Sequence, residues 1–312
     1  MELSTREAYG KTLVELGRQK PDIVVLDADL SKSTMTGLFA REFPHRFFNC
    51  GIAEQNMIVI AAGLAASGKT VFASTFAVFA TGRCFDQIRM SVAQPGLNVK
   101  IVATHGGITV GEDGTSHHSI EDLALICSLP GFTVIVPADA TEAAQAVKVA
   151  AQTYGPFYIR LSRPKTPLVY ATDYRFAIGK AVSLREGKDG TIIATGIMVA
   201  HALSAAQNLA LNGIDCRVLS MPTIKPIDVD AIVKAAKDTG AIVTAEEHLR
   251  QGGLGSAVAQ IVAEQRPVPM SFIALNDIYA KSGKPGELLQ RYHLTSDDIE
   301  GAVRSLVLKK RL

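Results

Sequence analysis

Phe48-Asn49-Cys50-Gly51-Ile52-Ala53-Glu54-Gln55-Asn56-Met57, continuing as Ile58-Val59-Ile60-Ala61-Ala62-Gly63-Leu64-Ala65-Ala66, decides how this chain is read. A short strand-like run ends at a glycine, and an almost unbroken apolar segment of helical length follows. A helix that is apolar all round belongs in an interior, so the segment behind Glu54 should run through the middle of a core. Its first turn nevertheless carries a carboxylate. An acid at a helix N-terminus gains only about 0.3–1 kcal/mol from the dipole. An acid kept in low dielectric holds its proton more tightly and is suited to exchanging it with a ligand. The rest of the chain favours the second role for Glu54.

With 312 residues, two domains are expected. A hydrophobic content of 47% with 20% charged residues suits a chain with large cores. The net charge of +2 offers no electrostatic reason to bind nucleic acid. The largest basic cluster, Lys309-Lys310-Arg311, reads as a solvated end. Glu2, Arg6 and Glu7 interrupt any apolar start, so no signal peptide is expected. The longest apolar run is too short to span a bilayer. Cys50, Cys84, Cys127 and Cys216 are scattered, without a CxxC pair or histidines at ligand spacing. Neither structural zinc nor a disulfide framework is expected, and the composition fits a reducing cytoplasm.

In chain order, Ser4-Thr5-Arg6-Glu7 has capping-box spacing and opens a helix to about Leu16. Strands are expected at 22–26, 47–50, 70–75, 99–103, 133–136 and 157–161. Helices are expected behind Glu54 and over 79–92, 119–128 and 141–153, and a glycine-rich loop over 106–114. Runs of β-branched residues alternating with helices imply a parallel sheet covered on both faces. Pro164, Pro167 and several charged residues then break the pattern. A second alternation follows, with strands at 191–194, 216–219, 241–245 and 270–275 and helices at 200–211, 229–236 and 254–263. The fold class is therefore α/β, with two parallel-sheet domains: residues 1–165, a linker over 166–188, and residues 189–312.

In open α/β sheets, chemistry sits beyond the carboxyl ends of the strands. In the first domain those ends carry Asp27, Asp29, Glu54, Phe76, Phe79, His105, Glu112, Asp113, His117, His118, Arg160 and Arg163. Taken singly, the aromatic residues could be core and the aspartates could cap turns. Taken together, they could bind an anion through Arg163 and His105, stack a ring on Phe79 and titrate a heterocycle with Glu54.

Gly51-Ile52-Ala53-Glu54-Gln55, Thr75-Phe76-Ala77-Val78-Phe79, Gly111-Glu112-Asp113-Gly114-Thr115-Ser116-His117 and Leu161-Ser162-Arg163 occur in that order. This series resembles the C-terminal half of transketolase, the thiamine-diphosphate enzyme that moves two-carbon ketol units between sugar phosphates. The resemblance covers essentially the whole chain. It implies a pyrimidine-binding domain followed by the family's C-terminal domain, the latter including Val243-Thr244-Ala245-Glu246-Glu247-His248 and Gly252-Gly253-Leu254-Gly255. By that resemblance, Glu54 is the glutamate that hydrogen-bonds N1′ of the aminopyrimidine and so promotes loss of the thiazolium C2 proton. Phe76 and Phe79 pack the pyrimidine ring, and Asp29 is an interface aspartate near the cofactor. Asp113 and His117 act in catalysis by hydrogen-bonding donor-sugar hydroxyls. Arg6, Ser33, His105 and Arg163 form a clamp for the phosphate end, where a guanidinium can grip phosphate bidentately.

Two departures from the family pattern stand out. Gly82 occupies the place of a third aromatic, so the ring cage is either more open or completed from elsewhere. His118 stands where an amide is common, and a steric substitution is the simpler reading. The diphosphate and metal ligands are also missing. In the family they come from a Gly-Asp-Gly motif and a following asparagine, and this chain has no Gly-Asp-Gly. The resemblance thus implies a split enzyme. A partner subunit would carry the diphosphate-binding domain and hold Mg2+ (or Ca2+), in an α2β2 heterotetramer of the pentose phosphate pathway. Alternatives are a split 1-deoxy-D-xylulose-5-phosphate synthase, a 2-oxoacid dehydrogenase β subunit and a non-catalytic regulatory homologue.

Overall fold

The computed structural model describes residues 2–311, excluding the side chains of 309 and 311; the basic-end expectation at Lys309 and Arg311 thus lies outside the described residues. The strands of the first half are β1 (Glu2–Ser4), β2 (Ile23–Asp27), β3 (Phe47–Asn49), β4 (Thr70–Phe76), β5 (Val99–Thr104), β6 (Thr133–Ile135), β7 (Phe157–Arg160) and β8 (Lys165–Pro167). The second half adds β9 (Val182–Arg185), β10 (Gly190–Ala194), β11 (Cys216–Ser220), β12 (Thr223–Lys225), β13 (Ile242–Leu249) and β14 (Met270–Leu275). Among the described residues, one sheet has the order β12-β6-β7-β5-β4-β2-β3 and a second the order β14-β13-β10-β11-β9.

The cores of both sheets are parallel, and β2, β4, β5 and β10 are buried at every residue, which is why their sequences are continuous apolar and β-branched runs. Each sheet also carries one antiparallel edge strand, where a purely parallel sheet was expected. One of these, β9, lies inside the 166–188 interval read as a linker; β8 overlaps the start of that interval and pairs with β1. The other, β12, comes from the second half of the chain and closes the first sheet against β6. These edge segments are three or four residues long and rich in polar side chains, so hydrophobic alternation does not mark them.

The helix Glu54–Ala66 corrects the opening expectation. Met57, Ile58, Ala61, Ala62 and Ala65 are buried, and the helix packs on β4. The opposite face is in water, with Val59 48% and Ile60 38% exposed, and Ile52 just before the helix is 81% exposed. A uniformly apolar pattern cannot reveal whether a chain covers both sides of its own helix. Residues 79–92, expected as one regular helix, are instead a short α-turn at Phe85–Gln87 between two wide turns closed by i→i+5 bonds, Phe79–Arg83 and Ile88–Ala93. Among the described residues, no helix is long and apolar enough to cross a membrane.

The two halves meet at Arg160, the last residue of β7. Its buried guanidinium donates from Nε to Asp122 Oδ2 at 2.8 Å, and from Nη2 to the carbonyls of Ser119 at 3.0 Å and Glu247 at 2.9 Å. Tyr158 donates to the same Asp122 oxygen at 2.7 Å. Arg160 was grouped with the site residues on sequence, but its bonding makes it the tie between the halves.

Glu247, on β13, turns its carboxylate back into the first half and accepts the Thr109 N–H at 2.6 Å. Gly107 lies against that carboxyl with φ of +83°, and any Cβ there would collide with it. Glu246 accepts the N–H groups of Leu254 and Gly255, both at 2.7 Å. The first turn of helix Leu254–Gln265 is therefore capped from within.

Burial pushes the carboxyls of Glu246 and Glu247 up to about 7. For Glu247 this exceeds the ordinary 4.5, so as pH rises the unfolded chain releases the proton first. The group then opposes folding increasingly from pH 4.5 to about 7 and by a constant amount above that. The urea midpoint of the wild type relative to Glu247→Gln should fall across this window and level off above about pH 8. A difference that does not change with pH would show that Glu247 titrates as an ordinary carboxyl.

Candidate active site

The site gathers beyond the carboxyl ends of β2, β4, β5 and β7. Gly51, with φ of +70°, turns the chain out of β3, and Gly51 N–H is held by Asn49 Oδ1 at 3.0 Å. The chain then enters the helix directly at Glu54, whose side chain is buried. Arg83 donates from Nη1 to Glu54 Oε1 at 2.7 Å. Among the described residues, Oε2 has no hydrogen-bond partner.

Phe76 ends β4, and Phe79 follows one short turn later. Their rings lie nearly parallel, 16° apart with centroids at 5.9 Å. Phe76 also stacks on His105 at 3.8 Å, and His117 meets Phe79 edge-on at 5.3 Å. The two phenyl rings and two imidazoles form one aromatic cluster.

His105 sits at the end of β5 with φ of +62°, a left-handed backbone rare outside glycine, and its Nδ1 is hydrogen-bonded to Thr104 Oγ1 at 2.8 Å. Burial, and then the Arg6, Arg163 and His117 charges, push its imidazole down to about 3. Sequence grouped His105 with Arg163 as an anion binder. It lies beside both arginines, but as a neutral ring that can offer an anion only a single N–H.

The residues expected to form a clamp lie near one another. Arg6 donates from Nη1 to the Ser33 carbonyl at 2.9 Å, and its Nε is buried without a partner. Burial and the nearby Arg163 charge lower the proton affinity of Arg6. Arg163 donates to the Val110 carbonyl and lies 3.4 Å from Glu112 Oε2 and 3.9 Å from Asp113 Oδ2. Two guanidinium groups thus share one small region, an arrangement that an anion between them would relieve. Asp113 is exposed on the short turn Gly111–Asp113.

Asp29 stands apart from this group. It is exposed at the sheet rim and paired reciprocally with Asn49, at 3.1 and 2.9 Å. Asp27 is a brace: it accepts the Leu30 N–H and the hydroxyls of Thr34 and Thr36. His118 also braces, with Nε2 on the Gly111 carbonyl at 3.1 Å inside the loop. Among the described residues, no group of three His, Cys, Asp or Glu side chains could hold a metal ion.

Sequence reasoning passed over Arg83 and Glu247. Arg83 lies four residues after Phe79, a spacing that places two side chains on one helical face, and that signal was available. Glu247 had no local signal, because its target is the Gly106–Gly114 loop more than a hundred residues earlier.

Residues 1–169 match the transketolase pyrimidine-binding domain, and residues 179–299 match the transketolase C-terminal domain. A putative transketolase C-terminal section from Methanocaldococcus jannaschii is 50% identical over 297 residues, covering 94% of this chain and 93% of the relative. One of the subunits of an apulose-4-phosphate transketolase from Phocaeicola vulgatus is 42% identical, with 95% of each chain covered. A solved structure described as a split gene transketolase, inactive beta4 tetramer, superimposes with a TM-score of 0.92 at 54% identity, covering 98% of this chain and 99% of that one. The chain also spans only 49% of several other transketolases that it matches. Fold and matches together define a two-domain α/β protein with a pyrimidine-binding first half. The chain belongs to the transketolase family, and it corresponds to the family's C-terminal section.

The neutrality of His105 can be checked directly. In nitrogen NMR of the labelled chain, its imidazole should remain uncharged from pH 8 down to about 5, where an ordinary histidine is largely protonated. Protonation near pH 6 would mean that the ring is more open to water, or the two arginines farther from it, than the fold places them.

Proposed function

We propose that this chain supplies the pyrimidine side of a thiamine-diphosphate site. With a companion chain that carries the diphosphate and metal ligands, it transfers two-carbon ketol units between phosphorylated sugars. The observation that carries this reading is the buried Glu54 carboxylate, linked through Arg83 to the parallel Phe76–Phe79 pair, in the half of the chain that also gathers Arg6, His105 and Arg163. Those residues fit the aminopyrimidine end of the cofactor. The missing Gly-Asp-Gly motif supports assigning the metal-bound diphosphate, with Mg2+ or Ca2+, to the companion.

When bound, the cofactor supplies a nucleophilic thiazolium carbon for cleaving a ketose beside its carbonyl. Glu54 would hold and exchange the proton at N1′ of the aminopyrimidine, the work of a positioned acid–base group. Phe76 and Phe79 hold the ring and exclude water from the proton-transfer path. His117 and Asp113 bind hydroxyls of the donor sugar. Arg6 and Arg163, with Ser33 and the neutral N–H of His105, orient the phosphate end. An incoming phosphate offers Arg163 stronger acceptors than the Val110 carbonyl and the exposed Glu112 it now contacts.

The rim residue Asp29 and the exposed Ile52, Val59 and Ile60 are assigned to the docking face for the companion. An α2β2 assembly is the simplest form of that pairing, and the tetrameric state of the related split-gene transketolase supports an oligomer. The free thiols of Cys50, Cys84, Cys127 and Cys216 support work in a reducing cytoplasm.

Two outcomes test the reading. The purified chain alone should show no ketol transfer, and activity should appear on mixing with a chain carrying the diphosphate domain, thiamine diphosphate and Mg2+. Full activity of the chain alone, shown free of a companion by mass spectrometry, would overturn the split assignment. In the reconstituted enzyme, Glu54→Gln should slow exchange of the thiazolium C2 proton by roughly a hundred-fold or more, the scale of a positioned acid–base group. Exchange at the wild-type rate, followed by quench and proton NMR at saturating cofactor, would reduce Glu54 to a helix-terminus acid.

A further inference from the structure

Arg83 is a charged side chain set between the two features that the proposed site depends on most. One Nη1 hydrogen bond of 2.7 Å joins it to Glu54 Oε1. Its guanidinium carbon lies 4.5 Å from the centroid of the Phe79 ring. Of the two partners in the ion pair, Glu54 is 3% exposed and Arg83 45% exposed, so the cation reaches in from the rim while the acid is fixed below it. The turn between the two aromatic residues and Arg83 explains the placement. Phe79–Arg83 closes with i→i+5 bonds, which widen the turn by about one residue relative to an α-helix. Arg83 rather than Gly82 therefore comes to lie over Phe79. Gly82 leaves open space where a side chain would otherwise stand. The cage that sequence left open at Gly82 is closed on this side by a guanidinium.

We propose that Arg83 is a positioning residue of the cofactor site: its flat guanidinium forms the third wall around the aminopyrimidine and holds the Glu54 carboxylate by Oε1, leaving Oε2 for N1′. The inference rests on the functional reading of Glu54 above. A guanidinium suits both tasks, since it stacks on an aromatic face and donates a directed, charge-assisted hydrogen bond. A lysine in its place would keep the charge but not the plane. A phenylalanine would keep the plane but not the bond to Glu54.

That division sets the experiment. In the reconstituted two-chain complex with Mg2+, titration calorimetry should show thiamine diphosphate binding about five- to fifty-fold more weakly to Arg83→Met than to the wild type. Arg83→Phe should recover most of that affinity while leaving C2-proton exchange slow, because the wall is restored and the hold on Glu54 is not. In the isolated chain, needing no cofactor, a double-mutant cycle of Arg83→Met with Glu54→Gln should give non-additive urea midpoints. Equal cofactor affinity and exchange rate in wild type and Arg83→Met would overturn the proposal and leave the functional reading intact. Additive midpoints would show that the ion pair is not held in solution and would also overturn it. Failure of the wild-type complex to bind thiamine diphosphate would instead remove the functional reading, and this inference with it.

Discussion

The structure depends on a buried guanidinium. Arg160 closes β7 and is bonded at once to a carboxylate of the first half, a loop carbonyl of the first half and a backbone carbonyl of the second. A buried cation without partners is costly, and removing one member of such a group typically costs about 3–5 kcal/mol. Here the partners come from two segments far apart in sequence, residues 119–122 and Glu247, so the charge is satisfied only when both halves are folded and docked. The β12 strand reinforces this by crossing from the second half to the first sheet. Through Glu247 the same junction reaches the Gly106–Gly114 loop, which lies beside His105 and carries Asp113, with His117 just beyond it. The second half therefore shapes the site without placing a side chain among the residues proposed to touch substrate.

Much of this was legible in the chain. The long buried strands announce themselves as β-branched runs, and the helix start at Glu54 follows from a glycine, an acid and an apolar stretch. The site residues could be collected because strand C-termini converge in an α/β sheet. Legibility ended where pairing is non-local or where side chains compete. The polar edge strands β8, β9 and β12 owe their existence to partners distant in sequence. Asp27 and Arg160 looked functional by location, and the structure shows both satisfied internally, while His118 is tied to the loop by Nε2 and keeps a buried Nδ1 without a partner. The difference lies in hydrogen-bond accounting, which a sequence does not carry: a buried polar group already paired is a brace, while Glu54 Oε2 and Arg6 Nε are without such partners.

The clamp shows how electrostatics divides roles among neighbours. Burial, and then the nearby Arg163, disfavours the charge on Arg6, and burial together with the two arginines drives His105 neutral. One imidazole thereby becomes a wall for Phe76 rather than a third cation. Without that neutralisation, three positive charges would crowd one pocket, with repulsion that no carboxylate within the cluster fully offsets.

The bare face of helix Glu54–Ala66 has a consequence for the chain as a molecule in a population. Val59, Ile60 and Ile52 present apolar surface to water on and just before the element that begins with Glu54. Any surface that binds this face binds the folded chain and not the unfolded one, so mass action adds its occupancy to the folding free energy. The stability of the chain is then a function of the concentrations of the surfaces around it. Supply of whatever covers this helix would set how much folded protein persists, and an unmatched excess of the chain would be left with an adhesive side.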